Sequence, residues 1–228
     1  MHCGSVEVCG ASSVRDLHAW ARGGYGELVH HANDDTVGLH PTVSSQSSAV
    51  CTLLLSTVEA FHLVSTLPEP RLQIIHLSQP DESGDSQRKV LSPGECWSTF
   101  CDANQLFPFV YAAYGALRKA GWHIRNGIKF GADFTLYAPR AGPCAHALHS
   151  VIVVSPAAVG QRNWLWLQRH VRLCHTVGKG LLLCSVNFNR MAQDGISTNT
   201  PRCLNDLKVQ TVRIGSWGAG REHGVLSS

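Results

Sequence analysis

Apolar positions along this chain recur at three- and four-residue intervals in some stretches and alternate in others, and the changes of period mark its elements. The first fifty residues are the least regular. ARGGYGELVHHANDDTVGLH mixes glycine with polar residues, and PTVSSQSS reads as a loop. From Val50 to Leu67 (VCTLLLSTVEAFHLVSTL) apolar residues fall at helical spacing, and Pro68 ends the predicted helix. Arg71 to Leu77 suits a short strand, and QPDESGDSQRK a polar loop. Ser92-Pro93-Gly94-Glu95 has the residues of a capping box, with serine at the N-cap, proline at the first helical position and glutamate two further on. A short helix to about Cys101 follows from it. A second helix opens at Pro108 and is closed by Gly121. Its Val110, Tyr111, Tyr114 and Leu117 stack on one side, and Arg118 and Lys119 sit in the last turn, where the helix dipole favours cations.

The period then changes to two. Asn126-Gly127 between Trp122–Arg125 and Ile128–Phe130 predicts a tight hairpin. On the strand Ile128–Tyr137, Phe130, Ala132, Phe134 and Leu136 point to the core, while Lys129, Gly131, Asp133, Thr135 and Tyr137 share the polar face. Gly142-Pro143 lies in a connection. His146 opens the next strand, whose Val151–Val154 run reads as fully buried. Residues 161–177 predict a helix with Leu167, Val171 and Cys174 in one stripe and Arg172 off it. Gly178 is its left-handed cap, and Lys179 stands at the junction with the buried strand GLLLCSVNF. A polar loop from about Asn187 to Asn205 leads to a last strand, Leu207–Ile214. The fold class is α/β: a small N-terminal α/β domain over residues 1–105 and a C-terminal mixed-sheet, nuclease-like α/β domain over residues 106–228.

Composition narrows the functions. The net charge of +3, with no long basic run, is too mild to indicate nucleic-acid binding, so any RNA contact rests on a few placed residues. Only 15% of the residues are charged, which leaves surface for partner subunits. Nine cysteines without a CxxC pair predict reduced, packed thiols. Among thirteen histidines, His30-His31 and His146-x-x-His149 are the tightest groupings, and neither brings a further metal-ligand set. The start, MHCGSVEVCGASS, lacks the pattern of a signal peptide, and no apolar run approaches the roughly 20 residues that span a bilayer. A soluble, intracellular protein is expected.

A tyrosine, a histidine and a lysine without a cofactor motif suit acid–base cleavage of RNA. There the 2′-hydroxyl is an internal nucleophile and no metal or other cofactor is required. The residues around them resemble the catalytic subunits of the tRNA-splicing endonuclease, the tRNA-intron lyase family. The resemblance rests on Gly121-Trp122, on GIKFGADFTLY from Gly127 to Tyr137, on His146, and on Gly178-Lys179 before an apolar strand. It is close over Phe107–Val186 and looser over Cys51–Trp217. The Gly-Trp step, HALHSVIV and LKVQTV are most similar to the eukaryotic subunit that cuts the 5′ splice site.

The resemblance implies an RNA endonuclease that acts on pre-tRNA beside other catalytic and structural subunits, in the nucleus. It implies Tyr137 as general base, His146 as general acid and Lys179 as the cation that stabilises charge. The ends would be a 2′,3′-cyclic phosphate and a 5′-hydroxyl. Arg172 and Trp217 resemble a pair that sandwiches a flipped RNA base in the partner subunit's active site. Asp194, in the polar loop, resembles the acidic residue that enters a partner's basic pocket. The chain departs from the family where Ser216 precedes Trp217 in place of the usual arginine, where Cys-Ala precedes His146, and where His149 stands in place of a common tyrosine.

Blander roles are open for each residue: a packing tyrosine at a strand end, a surface histidine, a lysine answering a helix dipole, a surface arginine and a core tryptophan. Lys129 and Asp133 suit a structural ion pair. Two other functions compete. One is a non-catalytic structural paralogue in the same complex. The other is a metal-dependent DNA nuclease, which would need a second carboxylate beside Asp133.

Overall fold

The computed structural model describes residues 5–8, 19–31, 50–67, 73–77, 88–139, 145–158, 160, 162–189 and 198–215. Three short strands form an antiparallel sheet in the order β1-β3-β2: β1 (Ser5–Val8), β2 (Glu27–His31) and β3 (Val50–Ser56). Helix α1 (Thr57–Thr66) follows β3 without a break. The single helix expected over Val50–Leu67 is therefore a strand and then a helix. Ser56 makes the switch: its side chain accepts from the Glu59 amide, and Glu59 returns a bond to the Ser56 amide at 2.8 Å. Both β1 and β2 need β3 as the central strand, and that pairing overrides the helical spacing of its leucines. Glu59 also accepts from the Gly26 amide at 3.0 Å, tying the β2 entry to α1.

A hairpin of β4 (Ile74–Leu77) and β5 (Arg88–Leu91) comes next. The strand β5 occupies the end of the segment expected to be loop. Ser92 and Glu95 then form the expected capping box and start α2 (Pro93–Ala103). The Glu95 carboxylate also meets Lys89 at 2.7 Å; that bond and the Ser92 cap hold its pKa at about 2. Helix α3 (Phe107–Lys119) ends, as the spacing predicts, before Gly121, whose φ is +86°.

The larger sheet has five strands in the order β10-β9-β8-β7-β6. They are β6 (His123–Asn126), β7 (Phe134–Tyr137), β8 (His149–Val154), β9 (Gly180–Phe188) and β10 (Leu207–Ile214). The β8–β9 pair is parallel and the others antiparallel, so the sheet is mixed, as expected. The parallel step needs a crossover, and α4 (Trp164–Thr176) supplies it. Asn163 caps α4, accepting from the Trp166 amide at 2.9 Å.

Helices lie on both faces of this sheet. α3 covers one, packing with α1, α2, Phe134, Leu136, Val151, Val153, Cys184 and Val186 in one continuous core. α4 covers the other through Leu167, Val171 and Cys174, the predicted stripe, against Ile152 and Leu181. The first core is rich in aromatic contacts that run across position 105. Trp97 meets Phe61 and Phe107 edge-on, both with centroids at 5.2 Å, and Phe100 and Tyr111 complete the group. Five cysteines, at 96, 101, 174, 184 and 203, are buried free thiols; burial pushes the thiols of Cys101, Cys184 and Cys203 up to about 11. Among the described residues no helix is long and apolar enough to cross a membrane.

The hairpin at Asn126-Gly127 is not tight. β6 pairs with β7, Asn126 opposite Phe134, and residues 127–133 form the connection. A 3-10 turn over Ile128–Phe130 replaces the first half of the expected strand. Gly127 has φ −97°, not the positive value of a two-residue turn, and Asn126 Oδ1 accepts from the Ile128 amide at 2.9 Å, folding the chain back on itself. Glycine is needed here for space: a Cβ would lie 2.8 Å from Ala132 O and from the Phe134 backbone.

Candidate active site

Three strand ends converge at one edge of the five-stranded sheet. Leu136 of β7, His149 of β8 and Gly180 of β9 form a single row across the ladder. Tyr137 comes directly after Leu136, residues 146–148 directly before His149, and Lys179 directly before Gly180. Because β8 runs opposite to β7 and parallel to β9, all three groups leave the row on the same side. Neighbouring strands are about 4.8 Å apart, so the backbones of Tyr137 and Lys179 stand about 10 Å from each other. The Leu148 amide donates to Leu136 O at 2.8 Å and the Gly180 amide to Leu148 O at 2.9 Å, which pins the segment carrying His146 between the other two.

Tyr137 is half-buried at the end of β7. Phe134 and Leu136 belong to the α3-side core, so Thr135 and Tyr137 point to the face that α4 covers. Thr135, expected on the polar face, is only 1% exposed. Its hydroxyl donates to Arg125 O at 3.4 Å, which lets it be buried. Asp133 does not pair with Lys129: its Oδ2 accepts from the Val153 amide at 2.7 Å, and the two side chains form no ion pair.

His146 is exposed and precedes β8, which opens at His149 instead. Extending the β7–β8 register would set Pro139 opposite His146, and proline has no amide hydrogen for the ladder. The histidine therefore stands on irregular chain at the sheet's edge, with its imidazole in solvent.

Lys179 sits where the sequence places it. Gly178 takes a φ of +65°, and the Lys179 amide donates to Cys174 O at 2.8 Å, closing α4. Its parity is that of Leu181, which packs beneath α4, so Lys179 and Tyr137 share a face. The ammonium donates to Val177 O at 3.4 Å and lies 4.2 Å from the centroid of the Phe130 ring.

His149 belongs to the opposite face. It has the parity of Val151 and Val153 in the α3-side core and meets Trp122 edge-on at 5.6 Å. Burial, and then Arg213, hold its pKa below the usual histidine value. Its Nδ1 is pressed against Gly180, where a Cβ would come within 2.5 Å of it. Gly180→Ala is expected to lower stability by about 1–3 kcal/mol through that overlap. The second change His149→Ala should recover most of the loss, measured by urea unfolding. Equal losses in the single and double variants would show that the ring is not the obstacle.

Arg172 is exposed on α4, away from the buried stripe. Trp217, Ser216 and Asp194 lie outside the described residues. Two site neighbours were not apparent from the sequence. His123 is directly opposite Tyr137 in the ladder, and the Arg125 guanidinium carbon lies 5.6 Å from the centroid of the Tyr137 ring. A two-residue turn would have set Arg125 beside Ile128; the longer connection sets it beside Thr135. Among the described residues no group of three His, Cys, Asp or Glu side chains stands together as a metal site.

Comparison with known proteins gives one family. Residues 107–193 match the tRNA intron endonuclease, catalytic C-terminal domain. The chain is 31% identical over 132 residues to the tRNA-splicing endonuclease subunit Sen2-1 of Arabidopsis thaliana, covering 57% of this chain and 54% of that protein. It is 30% identical over 177 residues to subunit Sen2 of Gallus gallus, covering 75% of this chain and 35% of the relative. With subunit SEN2 of Saccharomyces cerevisiae the identity is 29% over 140 residues, 54% of this chain and 36% of the relative. The chain thus spans about half or less of the length of these relatives.

Proposed function

We propose that this chain, whose residues 107–193 match the catalytic domain of the tRNA intron endonuclease family, is a catalytic subunit of a tRNA-splicing endonuclease. It cuts pre-tRNA at an intron boundary, the 5′ splice site, and leaves a 2′,3′-cyclic phosphate and a 5′-hydroxyl. The observation that carries this reading is the shared row Leu136–His149–Gly180, beyond which Tyr137, His146 and Lys179 leave the sheet together. The relatives named Sen2 support the choice of subunit.

The proposed chemistry needs three things of the protein: a base for the 2′-hydroxyl, an acid for the departing 5′-oxygen, and positive charge beside the phosphate. Tyr137 is the base, at a strand end rigid enough to aim its phenol. His146, with a solvent-exposed imidazole, is the acid and takes up a new proton between turnovers. Lys179 offsets the charge on the pentacoordinate phosphorus from the same face as Tyr137. No metal enters this scheme. Residues 106–228 form the catalytic unit, and 1–105 an N-terminal α/β region.

Partner subunits complete the enzyme, and the nucleus is its proposed location. Exposed apolar side chains such as Trp164, at 70%, support a surface that is covered in an assembly. In that assembly Arg172 and Trp217 grip a base for the neighbouring active site, and Asp194 enters a partner's basic pocket. Arg172→Ala is therefore expected to slow the 3′ cut by about 10- to 100-fold, the scale of a lost base-stacking contact, while sparing the 5′ cut. Scoring the two cuts separately in the assembled complex tests this. Loss confined to the 5′ cut would refute the cross-subunit role.

A further inference from the structure

The cation that lies over the Tyr137 ring is Arg125. The Lys179 ammonium rests instead on Phe130, in the connection between β6 and β7, while Arg125 belongs to β6 itself. β6 is an edge strand, and its register sets Arg125 opposite Thr135, one step diagonally from Tyr137 and on the same face. The arginine is exposed, and its side chain forms no hydrogen bond or ion pair among the described residues. From Lys119 to Ala132 the chain carries Lys119, His123, Arg125 and Lys129 and no acid, and Asp133 is occupied by the Val153 amide. A guanidinium lying over an aromatic ring keeps its N–H edge free, and that edge matches two oxygens of a phosphate.

We propose that Arg125 is a phosphate-binding residue of the active site, holding the backbone phosphate next to the one that is cleaved. Arg125 from β6 and Lys179 from the α4–β9 junction then flank the end of β7 that carries Tyr137, and the RNA strand crosses there with consecutive phosphates held by the two. The ring contact adds a second role, because the tyrosine whose phenol acts on the 2′-hydroxyl also orients the arginine. This inference rests on the proposed RNA-cleaving function and adds a subsite to it.

The test is binding of the assembled endonuclease to a pre-tRNA with one 2′-deoxynucleotide at the junction, which has no nucleophile and cannot be cut. Arg125→Ala is expected to weaken binding about 10-fold and to lower the slope of log affinity against log salt by about 0.7, the value for one phosphate contact on a single strand. Arg125→Lys should keep most of that slope. A neutral methylphosphonate at one linkage beside the junction should weaken binding to the wild-type complex and leave binding to the Arg125→Ala complex unchanged. An unchanged salt slope in Arg125→Ala, or equal sensitivity of both complexes to every neutral linkage, would overturn the assignment of Arg125 alone. Failure of the wild-type complex to prefer this RNA over mature tRNA would overturn the proposed function and the subsite with it.

Discussion

Replacing His146 by alanine is expected to slow cleavage by this subunit about 10²-fold or more, the usual scale of lost general acid help. Stability should change by no more than about 0.5 kcal/mol, because the imidazole is exposed on irregular chain and packs against no core. His149→Ala is the paired control. That ring lies on the other face of the sheet, against Trp122 and Gly180, so its loss should affect stability more than rate. Single-turnover cleavage by the assembled complex, read beside urea melts of each variant, separates the two. Wild-type cleavage by the His146→Ala complex would remove this residue from the mechanism, and a larger rate loss in His149→Ala would exchange their roles.

The largest effect on stability is expected at Trp97. It is fully buried, touches Phe61, Phe107 and Tyr111, and donates its indole N–H to Thr198 O at 2.9 Å. It thus joins α1, α2 and α3 to the segment that leads into β10. Trp97→Ala should cost about 3–5 kcal/mol through the cavity and the lost contacts, a large share of the roughly 5–15 kcal/mol that holds a domain folded. Trp97→Phe keeps most of the packing and loses the bond to Thr198, which by itself is worth about 1 kcal/mol. Chemical unfolding should therefore rank wild type, phenylalanine and alanine in that order. An alanine variant within 1 kcal/mol of wild type would mean that the two halves of the chain are not joined through this residue.

The parts of the fold that were legible in the sequence are those whose local chemistry agrees with their tertiary setting. Ser92 and Glu95 start α2 as a capping box wherever they stand, Gly178 caps α4 because the left-handed turn suits glycine, and the runs Gly180–Phe188 and Leu207–Ile214 coincide with β9 and β10. The misreadings fall where pairing partners decide. Val50–Ser56 carries helical spacing but is the central strand of a sheet, since β1 and β2 claim its two edges. Arg88–Leu91 is polar at its start and becomes a strand by pairing with β4. Asn126-Gly127 signals a two-residue turn, yet the Asn126 side chain starts a longer connection, and that error hid the neighbours of Tyr137. Tyr137, His146 and Lys179 are candidates through the resemblance of the motifs that carry them. That their backbones leave the sheet on one side needed the β7–β8–β9 register, and the position of Arg125 needed the β6–β7 register.

The most direct test of the proposed function is the chemistry of the ends produced. The complex reconstituted with its partner subunits should cut pre-tRNA in excess EDTA, leaving a 2′,3′-cyclic phosphate on the 5′ exon and a 5′-hydroxyl on the intron, and Tyr137→Phe should abolish that cut. Cleavage that stops in EDTA, or that leaves a 3′-hydroxyl and a 5′-phosphate, would contradict the account and point to metal-dependent hydrolysis.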